Sequence, residues 1–195
     1  MLKIHTLTLG LYQTNTYIIH EENSASCCVI DPGYQANTIL EKLDELGLTL
    51  DAILLTHGHF DHVGAVKDLA ADTDCRVFLC TEDTMLPPML TDGPLYYTDT
   101  YADGTILNIA GLYIRILHTP GHTPGGVCLL VDDVIFSGDT LFAGGCGRSD
   151  LGGDWATLVK SLKRLSQIEG YFKVFPGHGE STTLAYEKRY NPYMR

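Results

Sequence analysis

Three histidines and one aspartate lie within seven residues of the chain, 56–62, in the order Thr-His-Gly-His-Phe-Asp-His. This stretch follows the apolar run Ala-Ile-Leu-Leu at 52–55, which has the composition of a buried strand. Polar groups crowded at the end of a buried strand are costly to remove from water unless a cation binds them. The stretch therefore predicts a metal site with four candidate ligands: His57, His59, Asp61 and His62.

Three more side chains of the ligand type follow strand-like runs in turns that contain glycine: His122, Asp139 and His178. Glycine lets the backbone approach a ligand closely, and such turns hold side chains rigidly. Ligand-type side chains thus follow four predicted strands, and this shared placement predicts that they form a single site. His5, His20 and His118 stand alone in the sequence. Because isolated histidines are more often surface or hydrogen-bonded core residues than ligands, these three are left out of the predicted site.

Short strands separated by helical patterns must position these side chains. Strands are predicted, from β-branched and aromatic content and turn-rich boundaries, at 4–9, 16–20, 27–30, 52–56, 76–80, 113–118, 126–131, 134–137 and 174–175. Helices are predicted to end at Gly47, to begin at an Asp154 cap, and to span 60–70. The proline- and tyrosine-containing segment 87–104 is predicted to be a long loop or lid.

The composition favours an ordinary globular protein. At 195 residues, the chain is expected to form one domain, 1–195, with an α/β architecture in which helices cover two sheets. Thirteen Lys and Arg against 24 Asp and Glu give a net charge of -11, which repels nucleic acid and anionic lipid. Without a long apolar run or a signal-like N-terminus, a cytoplasmic location away from membranes is expected.

The six cysteines do not predict a disulfide set or a zinc ligand pair. Five of them lie in or beside apolar stretches, so buried thiols are the favoured interpretation. Cys146 differs because it lies in a glycine-rich turn. It is therefore a candidate to line the site.

In their order along the chain, these residues resemble the metallo-β-lactamase superfamily. The H-x-H-x-D-H motif of that superfamily matches His57 to His62 without gaps, and its later motifs match His122, Asp139 and His178. The resemblance extends from 15–17, Asn-Thr-Tyr, to 191–193, Asn-Pro-Tyr. It implies a four-layer αββα sandwich with metals in a cleft at one edge of the two sheets.

The resemblance also implies a role for each ligand-type residue. His57, His59 and His122 would bind a first metal, Asp61, His62 and His178 a second, and Asp139 would bridge them. Imidazole and carboxylate ligands suit zinc, and also iron or manganese, so two Zn²⁺ per chain are expected. Two cations about 3.5–4 Å apart lower the pKa of a shared water to about 7 and supply a hydroxide. Asp61, which would orient it, and Asp139 are the predicted catalytic residues.

The segment 138–148, Gly-Asp-Thr-Leu-Phe-Ala-Gly-Gly-Cys-Gly-Arg, looks like that of the glyoxalase II group, the hydroxyacylglutathione hydrolases. These cleave thioesters, and a cation at the position of Arg148 contacts glutathione. Arg148 and Cys146 are therefore predicted to bind a small thioester substrate, although Arg148 also fits a solvated turn residue. The carboxylate of Asp139 points away from β-lactams, since true β-lactamases usually lack one there.

Because of two departures from that group, we expect the chain to resemble its short, single-domain members. The chain ends at Arg195, without the C-terminal helical domain of full-length glyoxalase II, and Asp150 stands where an aromatic residue is expected. The wall of the pocket could then come from the segment 87–104, which could equally be an ordinary surface loop.

Three alternatives stay open. Persulfide dioxygenases share a segment similar to 145–150 and hold a single iron, here through His57, His122 and Asp139. A hydrolase of another ester or lactone would use the same ligands. A metal-dependent binding or sensing module is least favoured, because it would not need an open dinuclear centre.

Overall fold

Two six-stranded sheets form the centre of the structure, a computed structural model that describes residues 1–194. The first sheet contains, in spatial order, β1 (Leu2–Leu9), β2 (Thr14–Glu21), β3 (Ser26–Ile30), β4 (Thr49–Leu54), β5 (Arg76–Cys80) and β6 (Asp99–Tyr101). The second contains β7 (Ile106–Ile109), β8 (Leu112–His118), β9 (Val127–Val131), β10 (Val134–Gly138), β13 (Lys173–Pro176) and β14 (Thr182–Thr183). Between β10 and β13, a separate hairpin pairs β11 (Leu141–Phe142) with β12 (Gly145–Cys146).

Six α-helices accompany the sheets: α1 (Ala36–Leu46), α2 (Phe60–Val63), α3 (Val66–Thr73), α4 (Pro88–Thr91), α5 (Trp155–Ser166) and α6 (Leu184–Tyr190), all within residues 1–194. A 3₁₀ turn spans Thr81–Met85. The predicted helix boundaries at Gly47 and Asp154 are confirmed. Gly47 takes a left-handed conformation after α1, and the Asp154 side chain accepts a hydrogen bond from the Thr157 backbone N–H at 2.8 Å, as caps of these types do.

Three separate apolar cores show how the layers stack. Side chains alternate along each strand, so Ile18 and Ile53 pack against α1 and α3, while their neighbours Ile19 and Leu54 pack between the two sheets. The third core lies between the second sheet and α5, which contributes Leu158, Leu162 and Leu165. Three cores require four layers in the order helices, sheet, sheet, helices. The predicted αββα sandwich is confirmed.

Strand direction brings the ends of several strands to one edge of the sandwich. β3, β4 and β5 are parallel neighbours in the first sheet, and β10 and β13 are parallel in the second. In sheets of this kind, ligands bind beyond the carboxyl ends of the strands. The seven predicted ligands all follow such ends or lie in the loop between β8 and β9.

Every predicted strand is present, but five short strands were not predicted: β6, β7, β11, β12 and β14. They have two to four residues each. A run of that length contains too few side chains for an alternating pattern to stand out from a turn.

The prediction of one helix over 60–70 is wrong, because the chain forms α2 and α3 with a break at Gly64 and Ala65. At this break, the segment packs against the turn after β3. The Ala65 N–H donates to the Pro32 carbonyl at 3.0 Å, and a Cβ at Gly64 would overlap the Gly33 carbonyl oxygen. Contact with a distant turn therefore overrides the local helical pattern.

The prediction of a long loop or lid over 87–104 is also wrong. The segment contains α4 and the edge strand β6. Tyr101 is buried, and its hydroxyl donates to the Leu55 carbonyl, which anchors this edge strand beneath the metal-ligand stretch. Tyr96 and Tyr97 are exposed.

The cysteines behave as predicted. Five are buried, Cys146 is half-buried, and all six are free thiols. In the part of the chain that the structure describes, no helix has the length and apolar character needed to cross a membrane.

Candidate metal centre

The seven side chains predicted as ligands lie together at the carboxyl edge of the sandwich. The ligand atoms of one group, His57, His59 and His122, all lie within 4.8 Å of one another. The same holds for a second group, Asp61, His62 and His178. Asp139 lies between the groups, with Oδ2 3.5 Å from His122 Nε2 and 3.6 Å from His178 Nε2. We call these the first group, the second group and the bridging carboxylate.

Each of the five imidazoles is held by a hydrogen bond at one ring nitrogen. The bonds are His57 Nδ1 to Thr56 Oγ1 at 3.1 Å, His59 Nε2 to the Leu151 carbonyl at 3.0 Å, His62 Nδ1 to Asp31 Oδ2 at 3.0 Å, His122 Nδ1 to the Arg148 carbonyl at 2.6 Å and His178 Nδ1 to the Tyr12 carbonyl at 3.0 Å. Carbonyl and carboxylate oxygens only accept, so the bonded nitrogen carries the hydrogen. Thr56 Oγ1 also accepts, because it donates its own hydrogen to Asp31.

In the first group, this pattern places unprotonated nitrogens face to face. His59 Nδ1 and His122 Nε2 are 2.9 Å apart, and each ring donates through its other nitrogen. Burial, followed by the neighbouring imidazoles, holds the pKa of His57 well below its usual range and lowers that of His59 to about 4. In their neutral forms, the rings of His59 and His122 direct lone pairs at one another with no hydrogen between them, which a cation would relieve.

Two buried atoms of the centre have no hydrogen-bond partner among the described residues: His57 Nε2 and Asp139 Oδ1. An unsatisfied buried polar atom costs about 1–3 kcal/mol, and native structures rarely leave one without a reason. Both atoms belong to side chains of the predicted ligand set. Their donor chemistry fits a metal ion.

The second group differs in its electrostatics. Burial disfavours a charge on His62 and is the largest single influence, but Asp139 and Asp31 together outweigh it and raise the pKa of His62 well above its usual value. Burial likewise opposes a charge on His178, while Asp61 and Asp139 raise its pKa overall. The second group therefore lies in a negative field that favours positive charge, whether a proton or a metal supplies it.

Asp139 is ionised within this cluster. Burial favours its neutral form, but the adjacent histidines, His62 first, outweigh burial and hold the pKa of the carboxyl well below its usual range. A buried, ionised carboxylate between two groups of nitrogen donors can neutralise part of the charge of two cations.

Asp31, which was not among the predicted site residues, organises the second group from behind. Its carboxylate accepts from the Thr56 backbone N–H at 2.7 Å, from Thr56 Oγ1 at 2.6 Å and from His62 Nδ1 at 3.0 Å. It lies close enough to His57 and His62 to be a candidate ligand, but these bonds occupy both of its oxygens. The Asp-Pro-Gly turn after β3 was a signal for this residue, since it meets the strand-end criterion that identified Asp139.

Asp83 was also missed, and it ties two ligand-bearing turns together. Its buried carboxylate accepts from the backbone N–H groups of Gly58 at 2.9 Å and Gly125 at 2.5 Å, and from Thr123 Oγ1 at 2.9 Å. The turn that holds His57 and His59 is thereby fixed to the loop of His122. No sequence pattern marks Asp83, which lies in the 3₁₀ turn Thr81–Met85.

A cleft of about 550 Å³ opens over the centre and is lined by Tyr12, His59, Phe60, Asp61, His122, Asp139, Phe142, Cys146, Gly147, Arg148, Leu151 and His178. Cys146 and Arg148, the predicted substrate contacts, are thus among the residues that line the cleft. Of the described residues, none from 87–104 is among those lining this cleft, so the suggestion that this segment supplies its wall is wrong. The apolar wall comes from Tyr12, Phe60 and Phe142 instead.

The excluded histidines stay outside the cleft. His5 and His20 pair across β1 and β2, with their Nε2 atoms 3.2 Å apart. His118, at the end of β8, bonds through Nε2 to the Pro124 carbonyl at 2.8 Å.

Comparison of the sequence with known proteins finds relatives along nearly the whole chain. The sequence model of the metallo-beta-lactamase superfamily matches residues 9–178. Hydroxyacylglutathione hydrolase GloC of Haemophilus influenzae is 34% identical, covering 99% of this chain and 98% of that protein. The probable metallo-hydrolase YqgX of Bacillus subtilis is 36% identical, with 99% and 98% covered.

Solved structures show the same fold. BLEG-1, described as a B3 metallo-beta-lactamase, superposes with a TM-score of 0.91 at 32% identity, covering 100% of this chain and 99% of that one. ETHE1 from Myxococcus xanthus gives 0.86 at 31% identity, covering 97% and 83%. TTHA1623 in a di-iron-bound form gives 0.85 at 37% identity, covering 97% and 99%.

Substitution of Gly177 tests the packing around the bridging carboxylate. A Cβ at this position would overlap Asp139 Oδ1 and lie 2.7 Å from His62 Cε1, so Gly177→Ala must displace a predicted ligand. We expect metal affinity to fall by about 10–100-fold, the range seen when ligand-orienting contacts are lost. Equilibrium dialysis followed by metal analysis measures it. Gly145→Ala is the matched control, because its Cβ would meet only Phe142 Cβ, at 4.0 Å; equal losses in both variants would contradict the steric explanation.

Acidification should empty the two groups in sequence. A metal-binding imidazole must be unprotonated. The pKa of His59 is lowered to about 4, whereas the pKa values of His62 and His178 are raised. As the pH falls, protons therefore compete first for the second group. Metal analysis after dialysis at stepped pH should show one metal leaving before the other, with far-ultraviolet circular dichroism confirming that the protein stays folded. Loss of both metals in one step would count against this difference between the groups.

Proposed function

The chain belongs to the metallo-β-lactamase superfamily and is a metal-dependent hydrolase, and we propose that its substrates are small thioesters of the S-2-hydroxyacylglutathione type. The observation that carries the proposal is the pair of three-residue donor groups joined by the carboxylate of Asp139 beneath an open cleft. The 34% identity to hydroxyacylglutathione hydrolase GloC over 99% of the chain supports this substrate class.

The ligand atoms that do not take part in the ring-orienting hydrogen bonds support a proposed assignment of each side chain to a metal. The first metal would be held by His57 Nε2, His59 Nδ1 and His122 Nε2, and the second by Asp61 Oδ2, His62 Nε2 and His178 Nε2. Asp139 would contact both. We propose zinc at both positions, since its usual ligands are of these types. Iron suits the same donors, and the related TTHA1623 has a di-iron-bound form. When bound, two such ions would acidify a shared water and polarise the scissile carbonyl.

The residues of the chain would position that water and the substrate. Asp61 lines the cleft, and its pKa is held low: burial is the largest single influence and opposes ionisation, but the hydrogen bond with His178 and the charges of His62 and His178 together outweigh it. As an ionised carboxylate, Asp61 can accept a hydrogen bond from the attacking water and so orient it. The aromatic side chains of Tyr12 and Phe60, with ring centroids 5.2 Å apart, would shield this end of the cleft from solvent.

Arg148 and Cys146 are the proposed substrate contacts at the other wall. Arg148 is exposed, and its guanidinium makes two hydrogen bonds to the carboxylate of Asp150, at 2.6 and 2.5 Å. An anionic substrate group must therefore compete with Asp150 for this cation. The overall charge of -11 makes nucleic acid a poor substrate, which leaves small molecules. We propose, from its composition, that the protein acts on these small molecules in the cytoplasm.

Metal removal and a substrate panel test the reaction class. Metal-free protein should not turn over S-lactoylglutathione, and reconstitution with Zn²⁺ should restore the absorbance loss of the thioester without oxygen uptake. Oxygen uptake with glutathione persulfide and iron would instead favour the dioxygenase. Because the chain is similar to BLEG-1, the panel should include a β-lactam. We expect turnover of the thioester to exceed turnover of the β-lactam, because Asp139 supplies a carboxylate. A lactone tests the remaining hydrolase alternative.

A variant pair separates ligand loss from general damage. His57→Gln removes a donor of the first group and should reduce thioester turnover by more than about 100-fold, beyond the loss typical of residues that only orient a ligand. His5→Gln changes a histidine that pairs with His20 outside the cleft and should retain turnover. Full activity in metal-free protein, or in His57→Gln, would refute the proposed mechanism.

Substitution of Asp150 tests the contact proposed for Arg148. Asp150→Asn keeps the side-chain shape but removes the charge that occupies the guanidinium. Because an exposed ion pair is weak but must break before the guanidinium can bind another anion, KM for S-lactoylglutathione should fall by about threefold to fivefold with little change in kcat. The control substrate is a thioester without carboxylates, whose KM should stay constant. If KM shifts equally for both substrates, Arg148 does not bind an anionic group.

A further inference from the structure

A third group of metal-binding residue types lies outside the cleft. The ligand atoms of Cys80, Glu82 and His118 all lie within 4.8 Å of one another. Cys80 ends β5 of the first sheet, Glu82 lies in the 3₁₀ turn that follows, and His118 ends β8 of the second sheet. Neither the thiol nor the imidazole has a part in the proposed reaction. The group therefore spans the two sheets at a place that the hydrolase function does not explain.

His118 is oriented in the same way as the histidines of the metal centre. Its Nε2 lies 2.8 Å from the Pro124 carbonyl, which only accepts, so Nε2 carries the hydrogen and Nδ1 is unprotonated in the neutral ring. Its backbone N–H donates to Asp103 Oδ1 at 2.8 Å, which fixes the main chain as well. A hydrogen bond from one ring nitrogen to a backbone carbonyl is the usual support of a metal-binding imidazole.

The side chains of Cys80 and Glu82 are hydrogen-bonded to each other. The Cys80 thiol donates to Glu82 Oε2 at 3.0 Å. Burial, followed by the Glu82 carboxylate, raises the pKa of the thiol to about 12, so a neighbouring cation is needed to ionise it near neutral pH. Glu82 is exposed, whereas Cys80 is buried. The Glu82 side gives an ion a route from solvent and a position for a water ligand.

We propose that Cys80, Glu82 and His118 bind a thiophilic divalent cation such as Zn²⁺, separate from the metals of the cleft. Binding replaces the thiol hydrogen by the metal: the S–H bond breaks, the proton leaves to solvent, and the thiolate binds the cation without any change of oxidation state. Thiolate, imidazole and carboxylate are all zinc ligands, and water completes four-coordination.

Such an ion would stabilise the segments that carry the ligands of the metal centre. Asp83 follows Glu82 directly and fixes Gly58 to Gly125, and Pro124, which accepts from His118, lies in the loop that carries His122. An ion that binds the folded state stabilises it. Occupancy should therefore raise the melting temperature and hold the loop of His122 against the first sheet.

Co²⁺ is a suitable probe because, among these groups of described residues, only Cys80, Glu82 and His118 include a cysteine. The predicted ligands in the cleft are nitrogen and oxygen atoms, so a thiolate-to-cobalt charge-transfer band in the near-ultraviolet reports the new site once the Cys146 thiol beside the cleft is controlled for. Titration of metal-free full-length protein with Co²⁺ should produce that band and a third equivalent of bound metal. Cys80→Ser should abolish the band. Glu82→Gln, at an exposed position, should raise the Co²⁺ dissociation constant by at least about tenfold.

Two control variants identify the thiolate. Cys146→Ser changes the thiol beside the cleft, and Cys75→Ser changes another buried thiol, directly before β5; both variants should keep the band. The proposal is overturned if wild-type protein that has bound two Co²⁺ never develops the band, if the band persists in Cys80→Ser, or if it disappears in Cys146→Ser. Should Cys80→Ser fail to fold, Glu82→Gln decides, and an unchanged dissociation constant there would overturn it.

Discussion

Each imidazole of the metal centre is aimed by one hydrogen bond from its far ring nitrogen to an oxygen of the protein. Three of those oxygens are backbone carbonyls, of Tyr12, Arg148 and Leu151. A backbone carbonyl cannot change its protonation state or swing away like a side chain. The tautomer of each ring is consequently set by the path of the main chain, and the two sheets have to be in register before the donor atoms can converge. The site therefore depends on the whole sandwich and on more than the seven-residue stretch that carries four of the candidate ligands.

When the donor atoms converge in this way, the folded protein contains unfavourable electrostatic interactions between them. The facing nitrogens of His59 and His122 repel each other, and the pKa of His59 falls to about 4 as a result of burial and of that neighbour. Around His62 the balance is reversed, because Asp31 and Asp139 favour positive charge there. The two halves of the centre thus favour a cation for different reasons: the first through donor atoms that lack another partner, the second through surplus negative charge. Metal binding releases both kinds of cost, which couples the metals to folding.

Local patterns, the buried strands and the Gly-containing turns after them, were sufficient to predict two sheets covered by helices and the clustering of the seven ligand-type residues, whereas the order of the four layers was predicted from the family resemblance. Such patterns were insufficient where distant contacts decide. The break at Gly64 arises from the turn after β3, and Asp83 acts on backbone groups of Gly58 and Gly125 that are far away in the chain. His118 was set aside because it stands alone in sequence, yet it has Cys80 and Glu82 beside it in space. Local patterns carry no information about partners on another sheet.

The proposed substrate contact and the orientation of the metal ligands depend on one segment, which limits how freely either can change. The backbone carbonyls of Arg148 and Leu151 orient His122 and His59, while the same two residues line the cleft. A substitution that altered only the Arg148 side chain would leave the carbonyl in place, whereas an insertion or a shift in main-chain path between these residues would turn two rings of the first group. Variation in substrate preference should therefore occur through side chains at fixed backbone positions, and the carboxylate of Asp150 beside Arg148 is a change of that kind. It would alter the charge presented to the proposed substrate without disturbing a hydrogen bond that orients a metal ligand.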